Sequence, residues 1–212
     1  MDCCEPSGYR HLFNTKEATG KLTRYLKNGT NTVATRLVDA LASDGVDEQT
    51  VIDVGCGIGM LYVELVERGA LSATGVEISD GYEKSANQLH ELKGVTDRVT
   101  RVTLDFAEAG AAVAPADIVV LDRVVCCYPD WEKLLTSVTE HATGRVAFSF
   151  PRETVLSRLS LNLFNLWLRI RRVDFQAFFH PIGQMLALME TKGFTKTFDT
   201  HSPQWRGVVF ER

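Results

Sequence analysis

The sequence contains no Cys-x-x-Cys motif, and its cysteines do not form the spaced framework of a disulfide-rich protein. Of its five cysteines, Cys3 adjoins Cys4, Cys126 adjoins Cys127, and Cys56 stands alone. Because adjacent cysteines rarely bridge each other, disulfide stapling is excluded as the basis of the fold. A structural zinc site has no support from this spacing, so no metal is expected. A reducing, cytoplasmic environment is the simplest interpretation.

Long uncharged apolar runs and an excess of basic charge are also missing. The most apolar stretch, residues 155–170, contains Arg158 and Arg169, which makes it too short and too charged for a membrane span. Residues 1–6 lack the basic and apolar regions of a secretory signal. The net charge of −4 argues against a nucleic-acid partner. We expect no stable membrane insertion, although peripheral contact through the arginines near 169–172 stays open.

The sequence does contain short apolar runs, and these alternate with segments whose apolar residues have helical spacing. With 212 residues, of which 45% are hydrophobic, the chain can bury one substantial core. Five apolar runs, at 50–54, 72–76, 99–104, 116–121 and 145–150, alternate with helical segments and predict a parallel sheet covered on both faces. Runs at 194–198 and 205–210 predict two final strands, antiparallel to each other because their link is too short for a crossover helix.

Candidate binding residues follow the first three predicted strands. Asp53 and the glycines Gly55, Gly57 and Gly59 come after the first run, Glu77 ends the second, and Asp105 follows the third with Phe106 beside it. Glycine lets the main chain approach a ligand closely, and a carboxylate after the second strand can accept both ribose hydroxyls. The carboxyl ends of parallel strands meet at one edge of the sheet, where such folds bind ligands.

The spacing Asp-x-Gly-x-Gly-x-Gly, with the later Glu77 and Asp105-Phe106, resembles that of class I S-adenosylmethionine-dependent methyltransferases. A dinucleotide fingerprint would need its third glycine one position later, where Met60 stands, which disfavours an NAD-dependent oxidoreductase. The resemblance implies an α/β fold: a Rossmann-like, seven-stranded, mostly parallel sheet with an antiparallel final strand and helices on both faces. It also implies S-adenosylmethionine as cofactor. The matching positions that would contact it are Asp53, Gly55, Cys56, Gly57, Glu77, Ile78, Asp105, Phe106 and Leu121.

A narrower resemblance covers Leu121 to Asp130, Phe150-Pro151 and Phe179-His180-Pro181, which are similar to proteins related to the magnesium-protoporphyrin O-methyltransferases. The Asp/Asn-Pro-Pro-aromatic motif of many amino-methylating enzymes is replaced by Leu121-Asp122-Arg123-Val124. A carboxylate acceptor needs no base, whereas a phenol does. His180, Tyr128 and Asp122 are the candidate bases; a packing role is the alternative for the first two and pairing with Arg123 for the third. The remaining histidines, His11, His90, His141 and His201, are interpreted as surface residues.

Two segments are candidates for shaping the acceptor pocket of this single domain. Residues 1–30 form a cap or lid in which Tyr25 could close over the cofactor's carboxylate, and residues 151–182 form a helical insertion or lid. The helix predicted over 155–172 could line an apolar pocket, pack on the sheet or meet a second subunit. The sequence thus predicts a monomeric or homodimeric methyltransferase that acts on a small, rather apolar acceptor, at oxygen. An N- or C-methyltransferase and a non-catalytic S-adenosylmethionine-binding regulatory or assembly protein remain the alternatives.

Overall fold

The structure is a computed structural model that describes Tyr9 and residues 12–212. The strands are β1 (Thr50–Val54), β2 (Ser72–Glu77), β3 (Val99–Thr103), β4 (Ala116–Leu121), β5 (Ala142–Pro151), β6 (Thr195–His201) and β7 (Trp205–Glu211). The helices are α1 (Thr15–Asn28), α2 (Thr32–Ser43), α3 (Met60–Glu67), α4 (Glu83–Lys93), α5 (Phe106–Ala109), α6 (Trp131–His141), α7 (Val155–Ile170) and α8 (Ile182–Thr191).

The seven strands form one sheet in the order β3-β2-β1-β4-β5-β7-β6. All neighbouring pairs are parallel except those made by β7, which runs antiparallel to both β5 and β6. The predicted fold class is therefore confirmed. The order in which strands are added to the sheet reverses between β1 and β4, so the ends of β1, β2 and β4 border the crevice where such sheets bind ligands.

Each face of the sheet is covered by its own set of helices. One apolar cluster joins the sheet to α1, α2, α3 and α4, and includes Leu22, Leu37 and Leu65. The other joins it to α5, α6 and α8, and includes Leu135 and Met189. The apolar residues of each of these helices are spaced so that they form one stripe, and this stripe packs on the sheet.

Helix α7 belongs to neither cluster. It begins at the N-cap Thr154, whose hydroxyl accepts from the Ser157 amide, and only Ser157 and Leu168 are buried along it. Of the three placements that the sequence left open for this helix, packing on the sheet is therefore wrong. Its apolar side chains instead face outward, among them Leu156 and Ile170, which are 67% and 72% exposed. No helix in the described part of the chain is long and apolar enough to cross a membrane.

Candidate cofactor and acceptor site

The glycine loop joins β1 to α3 at the carboxyl edge of the sheet. Gly55 and Gly57 have φ angles of 65° and 56°, in the left-handed region that favours glycine. A Cβ atom on Gly55 would stand 2.5 Å from Cγ2 of Val124, which follows β4. The loop therefore needs glycine both for its backbone conformation and for its close approach to the end of β4.

Two charged side chains hold Gly57 from opposite sides. Its amide donates to Oε2 of Glu77 at 2.8 Å, and its carbonyl accepts from the guanidinium of Arg101 at 2.9 Å. The other carboxylate oxygen of Glu77 accepts from the amides of Ile78 and Ser79. Burial raises the pKa of Glu77, and the N–H donors of Gly57 and Ser79 oppose that rise. The Glu77 carboxylate thus fixes the glycine loop and can still accept a further hydrogen bond beside it.

Asp53 is a buried carboxyl, and one of its oxygens accepts no hydrogen bond from the described residues. The residue is 2% exposed, and its Oδ2 atom has no hydrogen-bond partner among the residues that the structure describes. Burial, together with the charge of Asp122, raises the pKa of Asp53 well above its usual range. A buried acceptor without a donor is costly, so this atom is suited to an amine or another hydrogen-bond donor brought by a ligand.

Beneath the glycine loop lies a buried polar network centred on Arg101 of β3. Besides Gly57, its guanidinium contacts Glu83 at 2.9 Å, Cys56 Sγ at 3.2 Å and the Tyr62 hydroxyl at 2.9 Å. That hydroxyl lies 2.7 Å from Nε2 of His90. Burial, with the charge of Arg101, lowers the pKa of His90 to about 4.

The prediction that His90 and His141 lie at the surface is therefore wrong. His90 is buried against Tyr62, and His141 is buried against the ring of Phe106 and the carbonyl of Gly110. His201 is exposed, as expected, and His11 lies outside the described residues. Arg101 itself belongs to no motif; the only signal was a charged residue within the short run Val99–Thr103.

A second group of predicted site residues lies beyond the end of β3. Asp105 caps α5 through Oδ1, and its Oδ2 accepts from the Tyr128 hydroxyl at 3.1 Å. Nε2 of His180 donates to the Tyr128 carbonyl at 2.9 Å, which a neutral imidazole can do, and burial lowers the pKa of His180. The structure thus brings Asp105, Tyr128 and His180 together, with Phe106 buried beside them.

At the end of β4, Asp122 is engaged on both oxygens. Oδ1 accepts from the Ser149 hydroxyl at 2.5 Å and Oδ2 accepts from the Asn31 amide at 2.9 Å. Its separation from Arg123 is 3.9 Å, a weak ion pair. Leu121 is fully buried beneath this turn. Asp122 therefore joins the start of α2 to β5 on the Asp53 side of the site.

Tyr25 is not brought to the loop. Its ring is buried near the far end of α3, where burial and the charge of Glu64 raise its pKa, and Lys93 lies 5.6 Å from the ring centroid. The side chain of α1 that faces the loop is Lys21. Its Nζ would be 4.0 Å from a Cβ on Gly57, and it donates to the Tyr82 hydroxyl at 2.9 Å.

Aromatic rings from separate segments meet above the loop. Phe175 makes edge contacts with Tyr9 and Phe13 at centroid distances of 5.4 and 5.6 Å, and Phe13 lies 6.4 Å from Tyr82. Tyr82 would also be 3.7 Å from a Cβ on Gly57. We refer to Tyr9, Phe13, Tyr82 and Phe175 as the aromatic cap. It gives the site an apolar wall beside its buried carboxylates.

These residues fit the cofactor that the sequence resemblance implies. The unpartnered Oδ2 of Asp53 suits an ammonium or amide donor, and Glu77 supplies acceptors for hydroxyl groups. Lys21 adds a cation at the same edge, where a carboxylate would be stabilised.

Comparison with known proteins identifies the family and the fold. A family model described as a methyltransferase domain matches residues 23–197. Among solved structures, magnesium protoporphyrin IX methyltransferase from Synechocystis PCC 6803, crystallised with SAH, superposes with a TM-score of 0.75 at 21% identity. That superposition covers 96% of this chain and 98% of the other.

Curated relatives match over shorter stretches. Trans-aconitate 2-methyltransferase of Azoarcus sp. is 31% identical over 108 residues, which is 50% of this chain and 40% of that protein. Protein arginine N-methyltransferase 1 of Saccharomyces cerevisiae is 28% identical over 111 residues, 52% of this chain and 32% of the relative. The matched region thus spans only 32% and 40% of the length of these two relatives, and their acceptors differ in kind.

Proposed function

This chain belongs to the class I S-adenosylmethionine-dependent methyltransferases, and from that premise we propose that it methylates a small, rather apolar acceptor at oxygen. The aromatic cap is the observation that carries the proposal. Tyr82 of this cap stands against Gly57 of the glycine loop, and the other rings continue outward from it, so a planar or apolar acceptor would lie beside the cofactor.

When bound, S-adenosylmethionine supplies an electrophilic methyl group on a sulfonium. In this proposal the backbone of Gly55 and Gly57 contacts the methionine moiety of the cofactor, and Asp53 accepts a hydrogen bond from the amino group of that moiety. Glu77 accepts from the ribose hydroxyls with Ile78 alongside, and Asp105 and Phe106 bind the adenine. Lys21 takes the place first given to Tyr25, because it is the group of α1 that faces the loop.

Positioning supplies much of the rate of an in-line displacement. The S–C bond breaks with its electron pair going to sulfur as the acceptor oxygen forms the new bond to carbon. A carboxylate acceptor loses no proton and becomes a methyl ester. We favour this acceptor because His180, Tyr128 and Asp122 each already have a hydrogen-bond partner within the fold.

The test is turnover of S-adenosylmethionine carrying a labelled methyl group against matched panels of carboxylic acids, phenols and amines. We expect label in the organic acids, released as methanol by alkali, since only a methyl ester is cleaved in that way. Alkali-stable label in the phenols would instead identify a phenol O-methyltransferase, and alkali-stable label in the amines or on carbon would identify an N- or C-methyltransferase. Binding of the cofactor without turnover of any panel would favour the regulatory protein.

Substitution of His180 distinguishes a mechanism without a general base from one that uses a base. With a carboxylate acceptor, His180→Ala and His180→Gln should both keep the maximal rate within about 10-fold, since no proton is removed. The amide nitrogen of Gln takes the position of the imidazole Nε2 and can still donate to the Tyr128 carbonyl, so this variant controls for lost structure. A loss of about 10²–10⁴-fold in both variants, with a wild-type rate that falls as the imidazole becomes protonated, would assign His180 as the base.

A further inference from the structure

The outward face of α7 is apolar over most of its length. Its exposed large side chains include Val155, Leu159, Leu163, Leu166 and Ile170, at 86%, 54%, 57%, 53% and 72% exposure, and Trp167 at 46%. Most large apolar residues elsewhere in the described chain are buried, with Leu26, Leu71 and Leu92 as isolated exceptions. A contiguous apolar patch of this kind marks an interaction surface.

The apolar side chains form one stripe. At about 100° per residue, residues 155, 156, 159, 163, 166, 167 and 170 fall within an arc of roughly 120°. The buried residues Ser157 and Leu168 lie on the opposite side of the helix. The helix is therefore anchored by a narrow inner face and presents a broad apolar face outward.

Arginines flank this stripe. On the same helical projection Arg158 and Arg169 border one side of it and Arg171 borders the other, with Arg172 at the end. Residues 152–172 contain five arginines and one acidic residue, Glu153, and so carry a local charge of +4 on a chain whose net charge is −4. Charge of this sign, concentrated around an exposed apolar stripe, is complementary to an anionic lipid surface.

The helix is held to the acceptor side of the molecule. It follows the carboxyl end of β5, and the Asn165 side chain exchanges hydrogen bonds with the backbone of Ala177 at 2.8 and 2.9 Å. In the same segment, Phe175 joins the aromatic cap and the Phe178 amide donates to the Cys126 carbonyl. A surface bound to α7 would thus lie near the aromatic cap.

We propose that α7 docks the protein onto an anionic membrane surface, with its apolar stripe in the interface and its arginines on the lipid headgroups. The helix lies in the plane of the surface rather than crossing it. This inference stands on the exposure and charge of α7 and does not depend on which atom the enzyme methylates.

The experiment is co-sedimentation of the full chain with vesicles of phosphatidylcholine alone or with about one third phosphatidylglycerol. We expect binding to the anionic vesicles at least about 10-fold tighter, weakening as salt is added. Leu159→Gln/Ile170→Gln should lose about 10-fold or more on anionic vesicles, because two side chains leave the interface. Arg169→Gln/Arg171→Gln should lose about 30-fold on the same vesicles.

Leu92→Gln is the matched control, since Leu92 is a 58% exposed leucine on α4, and it should bind as the wild type does. Cofactor affinity, measured on each variant, verifies that it is folded. Failure of the wild type to bind anionic vesicles, or equal binding by the Leu159→Gln/Ile170→Gln variant, would overturn the proposal. A dimer in sedimentation velocity that this variant dissociates, without lipid binding, would assign the face to a second copy instead.

Discussion

Asp53 and Glu77 are both buried carboxyls, but the fold treats them differently. Glu77 accepts three backbone N–H groups, whereas one oxygen of Asp53 has no partner in the described part of the chain. A buried charge without a donor destabilises the folded chain, and a ligand that supplies the donor removes that cost. In the proposed site, stability and cofactor binding therefore make opposite demands at Asp53.

Substitution of Asp53 by Asn should expose this conflict. The pKa of Asp53 is raised on folding, so its stabilising contribution is present below its unfolded pKa of about 3.9 and is lost as the pH rises through the folded value. At pH 7.5, the free energy of unfolding of Asp53→Asn should therefore exceed that of the wild type by about 1–3 kcal/mol in denaturant titrations. The difference should be smaller at pH 4.5. The same variant should bind S-adenosylmethionine at least about 10-fold more weakly.

The exposed Asp97 provides the control, because Asp97→Asn should change neither stability nor affinity appreciably. A stability difference between Asp53→Asn and wild type that does not vary with pH would mean that the buried carboxyl is not the cause.

Arg101 donates to the Gly57 carbonyl, so in the proposed site we assign it as a positioning residue that acts through the glycine loop. Arg101→Met removes the donor to the Gly57 carbonyl, and we expect KM for S-adenosylmethionine to rise at least about 10-fold while KM for the acceptor changes little. Arg101→Lys keeps the charge but cannot reach Glu83, Tyr62 and Gly57 together, so it should recover only part of this loss.

A spectroscopic measurement distinguishes positioning from general damage. The charge of Arg101 contributes to the lowered pKa of His90, which is about 4. NMR titration of Arg101→Met should find this pKa higher than in the wild type, in a chain that remains folded. An unchanged His90 pKa together with an unchanged cofactor KM would remove Arg101 from the site.

At the scale of elements, α1 links the N-terminal region to the glycine loop through Lys21. Lys21→Met retains an apolar side chain of similar length. It removes the ammonium group, whose Nζ lies 5.8 Å from the ring centroid of Phe13 and 4.9 Å from that of Tyr82. We expect the dissociation constant for S-adenosylmethionine to rise by about 3–10-fold, in line with the loss of one charge-assisted contact. The measurement is calorimetry at two salt concentrations, because the remaining affinity should be less sensitive to salt.

Lys16 lies on the same helix and is exposed, so Lys16→Met should bind the cofactor as the wild type does. Equal weakening by both substitutions would indicate a general effect of helix charge and would leave the carboxylate of the cofactor without an assigned partner.

The elements of the sheet could be predicted because their signals are local. The apolar runs and the glycines after β1 lie within a few residues of each other, and they locate the edge of the sheet that carries Glu77 and Asp105. Lys21 and Arg101 could not be assigned in this way. Which side chain of α1 meets the loop depends on how that helix is rotated against α3 and α4, and nothing in residues 15–28 encodes that angle by itself.

The same limit applies to α7. An apolar helix has the same hydrophobic periodicity whether its face packs on the sheet, contacts a second subunit or is exposed, so periodicity alone cannot place it. Leu163 and Ile170 are exposed because the faces of the sheet are already covered by other helices. The placement of α7 is thus a property of the whole fold and not of residues 155–170.

At the scale of the whole molecule, the proposed cofactor site draws on segments that are far apart in the sequence. The glycine loop, Glu77, Asp105, Lys21 and the aromatic cap lie between residues 9 and 175 and meet at one edge of the sheet. A ligand that contacts all of them binds only the assembled chain. By linkage, it should therefore stabilise the entire domain rather than one part of it.

This linkage gives a prediction that does not need the acceptor. S-adenosylhomocysteine at 100 times its dissociation constant should stabilise the folded chain by about 2.7 kcal/mol. For a domain of this size each kcal/mol corresponds to about 2–4 °C, so the unfolding midpoint should rise by roughly 5–11 °C in a single transition. NAD at the same concentration should leave the midpoint unchanged, because the glycine spacing differs from the dinucleotide fingerprint. Differential scanning calorimetry measures both, and a shift with NAD but not with S-adenosylhomocysteine would contradict the assignment of the cofactor.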